Sequence, residues 1–160
     1  MKKLLFLFCL LSWSVLHAQK TINRPPFIAK ATETIEIAAI HLSDTATVVD
    51  VDAKFIPKNW IRIAPATCLV ADNGERYQVR QGVGIELGQE FWMPESGEAT
   101  FSLIFPPLPA SVKSFDFVEG EGERDFNLFG ISLIGKLPKL QLPKDLGKAG
   151  KATAVVLPMP

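Results

Sequence analysis

The sequence predicts an all-β protein, an immunoglobulin-like antiparallel β-sandwich of seven or eight strands between residues 32 and 134. Apolar side chains alternate with a period of two in several short runs, and turns rich in glycine and proline recur about every 8–12 residues. No helical period of useful length appears. The densest alternation lies in residues 91–133, where Phe101, Leu103 and Phe105 occupy every second position and are predicted to line the core.

The first half begins with residues 19–31, which contain a Pro-Pro pair and are predicted to be an irregular lead-in. Residues 32–42 and 46–55 alternate apolar and polar side chains and are predicted to be the first two strands. An antiparallel sheet with one face in water gives this alternation. In the second of these strands, the residues predicted to face the core are Val49, Val51, Ala53 and Phe55.

A hairpin is predicted around Asn73-Gly74, because both residues tolerate the positive φ of a tight turn. Its strands are residues 67–71 and 76–81. The rest of this half is predicted to be a short strand over 60–63 and a glycine-containing loop with a brief extended piece over 82–89.

The second half repeats the alternation after each turn. Beyond the run that includes Leu103, the residues predicted to be buried in strands are Phe115, Phe117, Phe126 and Leu128. The runs are separated by turn segments, which are 94–97, 106–109 and 120–122.

The first eighteen residues have the layout of a secretory signal peptide. Lys2 and Lys3 precede an apolar run over residues 4–11, and a more mixed segment ends at Ala18. The run is shorter than the ~20 residues that span a bilayer, so we expect cleavage after Ala18 and no integral membrane span in the mature chain. The protein is therefore expected to be exported, to the periplasm or the extracellular space.

Residues 135–160 differ in composition from the rest of the chain. They are rich in lysine, proline and glycine and contain no phenylalanine. We interpret them as a loosely ordered tail, and as the start of a missing next domain in a shortened form of a multi-domain protein.

Charge argues against nucleic acid as a partner. The chain has 17 basic and 17 acidic side chains, and two of the basic ones lie in the signal peptide, so the mature chain has 15 basic and 17 acidic. A surface with this balance has little attraction for DNA or anionic lipid.

Four motifs carry a resemblance to a known kind of module, and they cover residues 91–98, 105–109, 115–120 and 126–131. The chain resembles, over residues 32–157, the N-terminal β-sandwich module of exported bacterial proteins, many of them described as thioredoxin-like thiol–disulfide oxidoreductases. The resemblance implies an accessory role, because their redox chemistry resides in a separate thioredoxin-like domain with a Cys-x-x-Cys pair. That pair is absent here, so the resemblance carries no redox activity to this chain.

No catalytic, cofactor-binding or metal site is predicted. His41 is the only histidine of the mature chain and has no apparent partner in the sequence. Cys68, the only mature cysteine, is predicted to be a small, partly buried apolar residue, with a free thiol open to mixed disulfides as the alternative. The acidic segment 119–125 could supply oxygens to calcium, and so could Asp44, Asp50 and Asp52; the preferred interpretation is a solvated loop and an exposed strand face.

Exposed aromatic side chains are the remaining candidates for a binding site. Trp60, Tyr77 and Trp92 could form an aromatic platform, and only one of the neighbours Phe91 and Trp92 can face outwards. We expect a non-catalytic module for protein interaction or domain positioning. The alternative is a carbohydrate- or peptide-binding module that uses these aromatic residues. The partner is accordingly an unidentified protein or glycan.

Overall fold

A computed structural model describes residues 19–120 and 125–137, and the predicted signal peptide and residues 138–160 of the predicted tail lie outside this part. The described residues form twelve β-strands and no helix. Several strands are only two to four residues long, too short for a periodic signal, which is why they exceed the seven or eight predicted. Nothing in the described residues forms a helix with the length and apolar character needed to cross a membrane.

Strand bounds in chain order are β1 (Lys20–Asn23), β2 (Ala29–Lys30), β3 (Ile35–Leu42), β4 (Thr47–Lys54), β5 (Trp60–Ile61), β6 (Cys68–Ala71), β7 (Arg76–Gln78), β8 (Gln81–Val83), β9 (Phe91–Trp92), β10 (Glu98–Phe105), β11 (Ser114–Val118) and β12 (Asn127–Ser132). The first sheet has the order β1-β3-β4-β10-β8, and the second has the order β2-β12-β11-β6-β7. β5 and β9 form a separate two-stranded ribbon. Every paired strand is antiparallel.

Both five-stranded sheets contribute side chains to one apolar core. Phe101, Leu103 and Phe105 are buried, as predicted. The ring of Phe105, on the first sheet, meets the ring of Phe117, on the second, edge to face with centroids 6.4 Å apart. Aromatic pairs favour this geometry, so the contact helps to hold the two sheets together.

The predicted strand over 46–55 is confirmed as β4, with one correction. Val49 and Val51 are buried, but Phe55 is 36% exposed. β4 ends at Lys54, and the backbone N–H of Phe55 donates to the carbonyl of Gly97 outside the ladder. The side chain therefore leaves the alternation of the strand. Phe126 is likewise only partly buried and packs against the margin of the core.

The lead-in over 19–31 was wrongly predicted to be irregular. It forms β1, which pairs with β3 at the edge of the first sheet, and β2, which pairs with β12 at the edge of the second. β1 has one apolar side chain, Ile22, because an edge strand needs little apolar surface. At the start of β1, Lys20 Nζ donates to the carbonyl of Leu133 at 2.7 Å.

Candidate functional site

Trp60 and Trp92 lie directly opposite each other in the β5–β9 ribbon, and both are exposed, at 42% and 59%. The adjacent residues Ile61 and Phe91 point to the opposite side of the ribbon. Ile61 is buried, and the ring of Phe91 packs against Phe101 with centroids 6.4 Å apart. Because successive side chains of a strand point to opposite faces, this inner packing turns both indoles to solvent.

Tyr77 is placed apart from the two tryptophans. Its strand, β7, belongs to the second sheet, where Tyr77 pairs with Leu69 of β6. The side chain is half-buried, and its hydroxyl donates to Glu75 Oε2 at 2.5 Å. The structure therefore brings together two of the three predicted platform residues.

Two further apolar side chains extend the exposed surface around the ribbon. Phe55 and Ile56 follow β4 directly, and Ile56 is 58% exposed. The turn that contains them lies beside β9, because Lys58 N donates to the carbonyl of Met93 at 3.2 Å. Below we call the surface formed by Phe55, Ile56, Trp60 and Trp92 the tryptophan face.

Backbone hydrogen bonds and one buried side chain hold the tryptophan face in place. The backbone N–H of Met93 donates to the carbonyl of Asn59 at 2.8 Å, and the Met93 side chain is buried in the core. These two contacts fix the β5–β9 ribbon, and with it the tryptophan face, to the core of the domain. Large apolar side chains grouped on the surface of a small domain are typical of interaction sites.

A groove of about 820 Å³ lies beside Trp60. Three aromatic side chains contribute to its lining: Phe55, Trp60 and Phe126. Four charged side chains do so as well: Glu33, Arg62, Glu119 and Asp125. The groove therefore combines apolar and charged surface, with three carboxyl groups and one guanidinium. Tyr77 does not line it.

Glu119 fixes the wall of the groove. Its Oε1 accepts from Ala64 N at 2.7 Å, and its Oε2 accepts from Phe126 N at 2.8 Å. Burial raises the pKa of Glu119 and the charge of Asp125 adds to this, while the two backbone N–H donors and Arg62 act in the opposite direction. The carboxyl group thus joins the loop that follows β5, at Ala64, to Phe126, the residue directly before β12.

The calcium hypothesis for residues 119–125 falls largely outside the described part of the chain, since residues 121–124 are not described. Both oxygens of Glu119 already accept backbone hydrogen bonds. Elsewhere Asp50 and Asp52 bind protein donors, and Asp44 is exposed in the β3–β4 turn. Among the described residues, no three His, Cys, Asp or Glu side chains come together as a metal-binding group.

A polar network that the sequence did not reveal crosses the water-facing side of the first sheet. Thr21 Oγ1 lies 3.0 Å from His41 Nδ1, and His41 Nε2 lies 2.7 Å from Asp50 Oδ2. Ser102 Oγ donates to Asp50 Oδ1 at 2.7 Å. Burial raises the pKa of Asp50, but the hydrogen bonds from Ser102 and His41 outweigh it, and the net pKa lies below its usual range.

A β-bulge explains why His41 was missed. Strict alternation from Ile35 would place His41 on the core side, but the register of β3 shifts between Ile37 and Ala39. The shift puts Ile40 in the core and His41 on the outer face. The proximity of His41 to Asp50 follows from the register of the β3–β4 pair, and alternation within one strand does not reveal that register.

The order hydroxyl, imidazole, carboxylate is also that of a nucleophile and its base, but the surroundings oppose that chemistry. Along the same sheet face, Arg24 binds Asp52 Oδ2 at 2.8 Å and lies 3.5 Å from Glu36 Oε2. Carboxylates beside the network disfavour a developing oxyanion, and the nearby cation is already paired. The arrangement instead joins four neighbouring strands: β1, β3, β4 and β10.

Cys68 is fully buried in β6, more deeply than the partial burial predicted. Arg76 Nη2, on the adjacent strand β7, donates to Cys68 Sγ at 3.2 Å. The sulfur is thus covered by its own sheet, which fits a structural residue.

The tryptophan face and the groove share Phe55 and Trp60, and together they offer aromatic rings, aliphatic surface and charges of both signs. This set of groups can bind a ligand by burying apolar area and by pairing charges. No protein-family model, curated protein or solved structure matches this chain.

Proposed function

We propose that the chain is a non-catalytic, exported β-sandwich module that binds a polypeptide segment, presented by another protein or by a neighbouring domain, through the tryptophan face. The observation that carries the proposal is the outward-facing pair Trp60 and Trp92 on the anchored ribbon. Tryptophan is among the residues that most often dominate binding energy at protein interfaces, because it buries a large area with little loss of conformational entropy.

The remaining parts of the proposal rest on the fold and the sequence. Two five-stranded antiparallel sheets that share one core support an immunoglobulin-like sandwich. The charge-then-apolar pattern of residues 1–18 supports export. The resemblance to modules of larger exported proteins supports an accessory role in a multi-domain protein, and one of its motifs, residues 91–98, contributes Trp92 to the face.

A polypeptide fits this surface better than a sugar does. Phe55 and Ile56 extend the two indoles with apolar area that has no polar group of its own, and Ile56 is more than half exposed. Sugar sites instead pair aromatic ring faces with polar groups that bind hydroxyls. Carbohydrate stays the second candidate, because Asn59 and Arg62 line the groove next to Trp60 and could bind hydroxyl groups.

Selection from a displayed random-peptide library tests the proposal, with a double variant Trp60→Ala/Trp92→Ala as counter-selection. Peptides that bind the unaltered protein are expected to lose about tenfold or more in affinity to the double variant. Phe129→Ala is the matched control, since Phe129 is an aromatic residue of β12 that is 39% exposed and lies outside the tryptophan face. A glycan array, probed with the same proteins, tests the second candidate.

The proposal fails if the selected peptides bind the double variant as tightly as the unaltered protein. Binding to glycans that depends on Trp60 and Trp92, without peptide binding, would replace it by the carbohydrate alternative.

A further inference from the structure

The β5–β9 ribbon has an unpaired edge at Trp92. Trp60 and Trp92 lie directly opposite each other, and in the adjacent residue pair Met93 N donates to the carbonyl of Asn59. In an antiparallel ladder, hydrogen-bonded pairs alternate with pairs whose backbone groups point away from each other. Since Asn59 and Met93 are joined by a hydrogen bond, Trp60 and Trp92 form a pair of the second kind. The N–H and C=O of Trp92 therefore point away from β5.

No strand of the described domain pairs with these two groups. The ribbon contains only β5 and β9, so the far side of β9 has no neighbouring strand. Pro94, which has no N–H, limits the edge after Trp92. β9 thus presents one N–H and one C=O at a residue whose side chain belongs to the tryptophan face and which is 59% exposed.

We infer, on the basis of the proposed function, that the bound polypeptide segment is extended and adds to β9 as a third, antiparallel strand of the ribbon. The residue of the segment opposite Trp92 would exchange two main-chain hydrogen bonds with it and place an apolar side chain against the indole. Main-chain pairing supplies affinity for many sequences, and alternate side chains supply specificity.

The edge of β9 is better suited to strand addition than the other edges of the domain. The backbone groups of Trp60 point to the free edge of β5, where an added strand would meet residues 31–34, which line the same groove. The edge strand β7 presents Arg76, and β2 follows closely after Pro25 and Pro26. Charged side chains and prolines protect sheet edges from strand addition. An exposed tryptophan gives no such protection.

Glu90 determines the chemistry of a second position in the segment. It directly precedes β9, is exposed and takes part in no salt bridge within residues 19–120 and 125–137. Residues two apart in an extended chain share a face, so the carboxylate lies on the side of Trp92. In an antiparallel segment, the residue two positions after the apolar one lies opposite Glu90. Lysine or arginine suits that position, because opposite charges on directly facing residues attract.

N-methylated peptides test the main-chain pairing without altering a side chain. The probe is Ac-Thr-Ile-Thr-Lys-Thr-amide, and NMR titration of the backbone amide of Trp92 measures its affinity for the unaltered protein. N-methylation of the isoleucine removes the N–H that donates to the carbonyl of Trp92, and it should weaken binding about fivefold or more. N-methylation of the central threonine is the matched control. Its N–H points away from β9, so the affinity should not change.

The variant Glu90→Gln tests the charge pairing separately. It should weaken binding of the same probe about twofold. Glu90 is exposed, so this variant leaves the core untouched. Asp44→Asn is the control, because it removes one carboxylate from the exposed β3–β4 turn and should not change the affinity. Unchanged affinity for Glu90→Gln would overturn the placement of the lysine opposite Glu90.

The outcomes separate this inference from the proposed function. Equal affinity of the two N-methylated peptides, with the Trp92 amide still shifted, would overturn strand addition and leave a tryptophan face that binds through side chains alone. If the probe does not shift Trp92, the inference is also overturned, and the library selection alone decides the proposed function. Trp92 shifts that depend on protein concentration without any peptide would overturn it as well, and would assign the edge to a second copy of the chain.

Discussion

His41 Nε2 lies 2.7 Å from Asp50 Oδ2, and this contact joins β3 to β4 on the water-facing side of the first sheet. Thr21 extends the chain of contacts to the edge strand β1, and Ser102 extends it to β10. A row of side chains thus crosses four strands at right angles to their backbones. The row has consequences for stability that can be measured as a function of pH.

Asp50→Asn should destabilise the protein more at neutral than at acid pH. The pKa of Asp50 in the folded protein is below its ordinary value of 3.8, so the stabilising contribution of the carboxylate is present above that value and is lost as pH falls through the folded pKa. We expect a loss of about 1 kcal/mol in the free energy of unfolding at neutral pH. Urea unfolding between about pH 7 and about pH 3 measures the difference.

The variant and the unaltered protein should therefore begin to converge below the ordinary pKa of Asp50 and converge fully only below its lower folded pKa. Asp44→Asn, in the exposed β3–β4 turn, is the control and should leave stability unchanged. A difference for Asp50→Asn that stays constant down to the lowest pH would show that the carboxylate contributes nothing through its charge.

Leu103→Ala should lower the free energy of unfolding by about 2–5 kcal/mol and Phe105→Ala by about 3–5 kcal/mol, because both side chains are fully buried. A domain of this size has only about 5–15 kcal/mol in total. Thr100→Ala is the control on the same strand, since Thr100 is exposed. Thermal unfolding measures all three, and similar small shifts for the three variants would mean that the register of β10 is wrong.

Ser102→Ala can be added as a fourth variant of β10. From alternation alone this substitution is expected to change stability very little, because Ser102 lies on the outer face. The structure alters the expectation, since Ser102 Oγ donates to Asp50 Oδ1 at 2.7 Å. We now expect a cost of about 1 kcal/mol, which should vanish in the Asp50→Asn background.

Gly97→Ala should be more harmful than Gly74→Ala, although both glycines have positive φ, +69° and +86°. The strained conformation costs about 1–2 kcal/mol at either site. A Cβ on Gly97 would also lie 2.6 Å from the carbonyl oxygen of Phe55, whereas a Cβ on Gly74 meets nothing within 4 Å. Calorimetric unfolding of the two variants tests the ranking, which equal melting temperatures would refute.

Removal of β1 should destabilise the domain. A chain that begins at residue 25 loses the ladder with β3, the Thr21–His41 contact and the pairing of Arg24 with Asp52. Relative to a chain that begins at residue 19, we expect a melting temperature at least about 5 °C lower. Equal melting temperatures would show that β1 contributes nothing measurable to the stability of the domain.

Long strands could be predicted from the sequence because each carries its own periodic signal. β4 and β10 each span eight residues, and their alternation is read without knowledge of any partner. β1 and β2 could not be recognised in this way, because they are short and exist through pairing with strands of opposite sheets. These two strands are stabilised by the strands with which they pair, and the pattern of apolar residues within one short segment carries no information about that pairing.

The candidate site shows the same difference between what could be predicted and what could not. Trp60 and Trp92 could be identified as aromatic candidates, but their juxtaposition depends on pairing between strands more than thirty positions apart. The charged lining of the groove depends on contacts that are equally remote, such as Glu119 with Ala64. The network at His41 also required the bulge in β3. Candidate residues could thus be identified by their type, but which of them lie next to one another could not be predicted.

The hydrogen bond from Lys20 Nζ to the carbonyl of Leu133 places the first and last strands of the described domain within the reach of one lysine side chain. A short peptide could therefore join these two points, and the chain could be reopened in an exposed turn such as the one at Asn73-Gly74, giving a circularly permuted domain with the same sheets. Since closing a short loop costs little entropy, the same geometry would allow the domain to be inserted into a surface loop of a host protein with little distortion of the host.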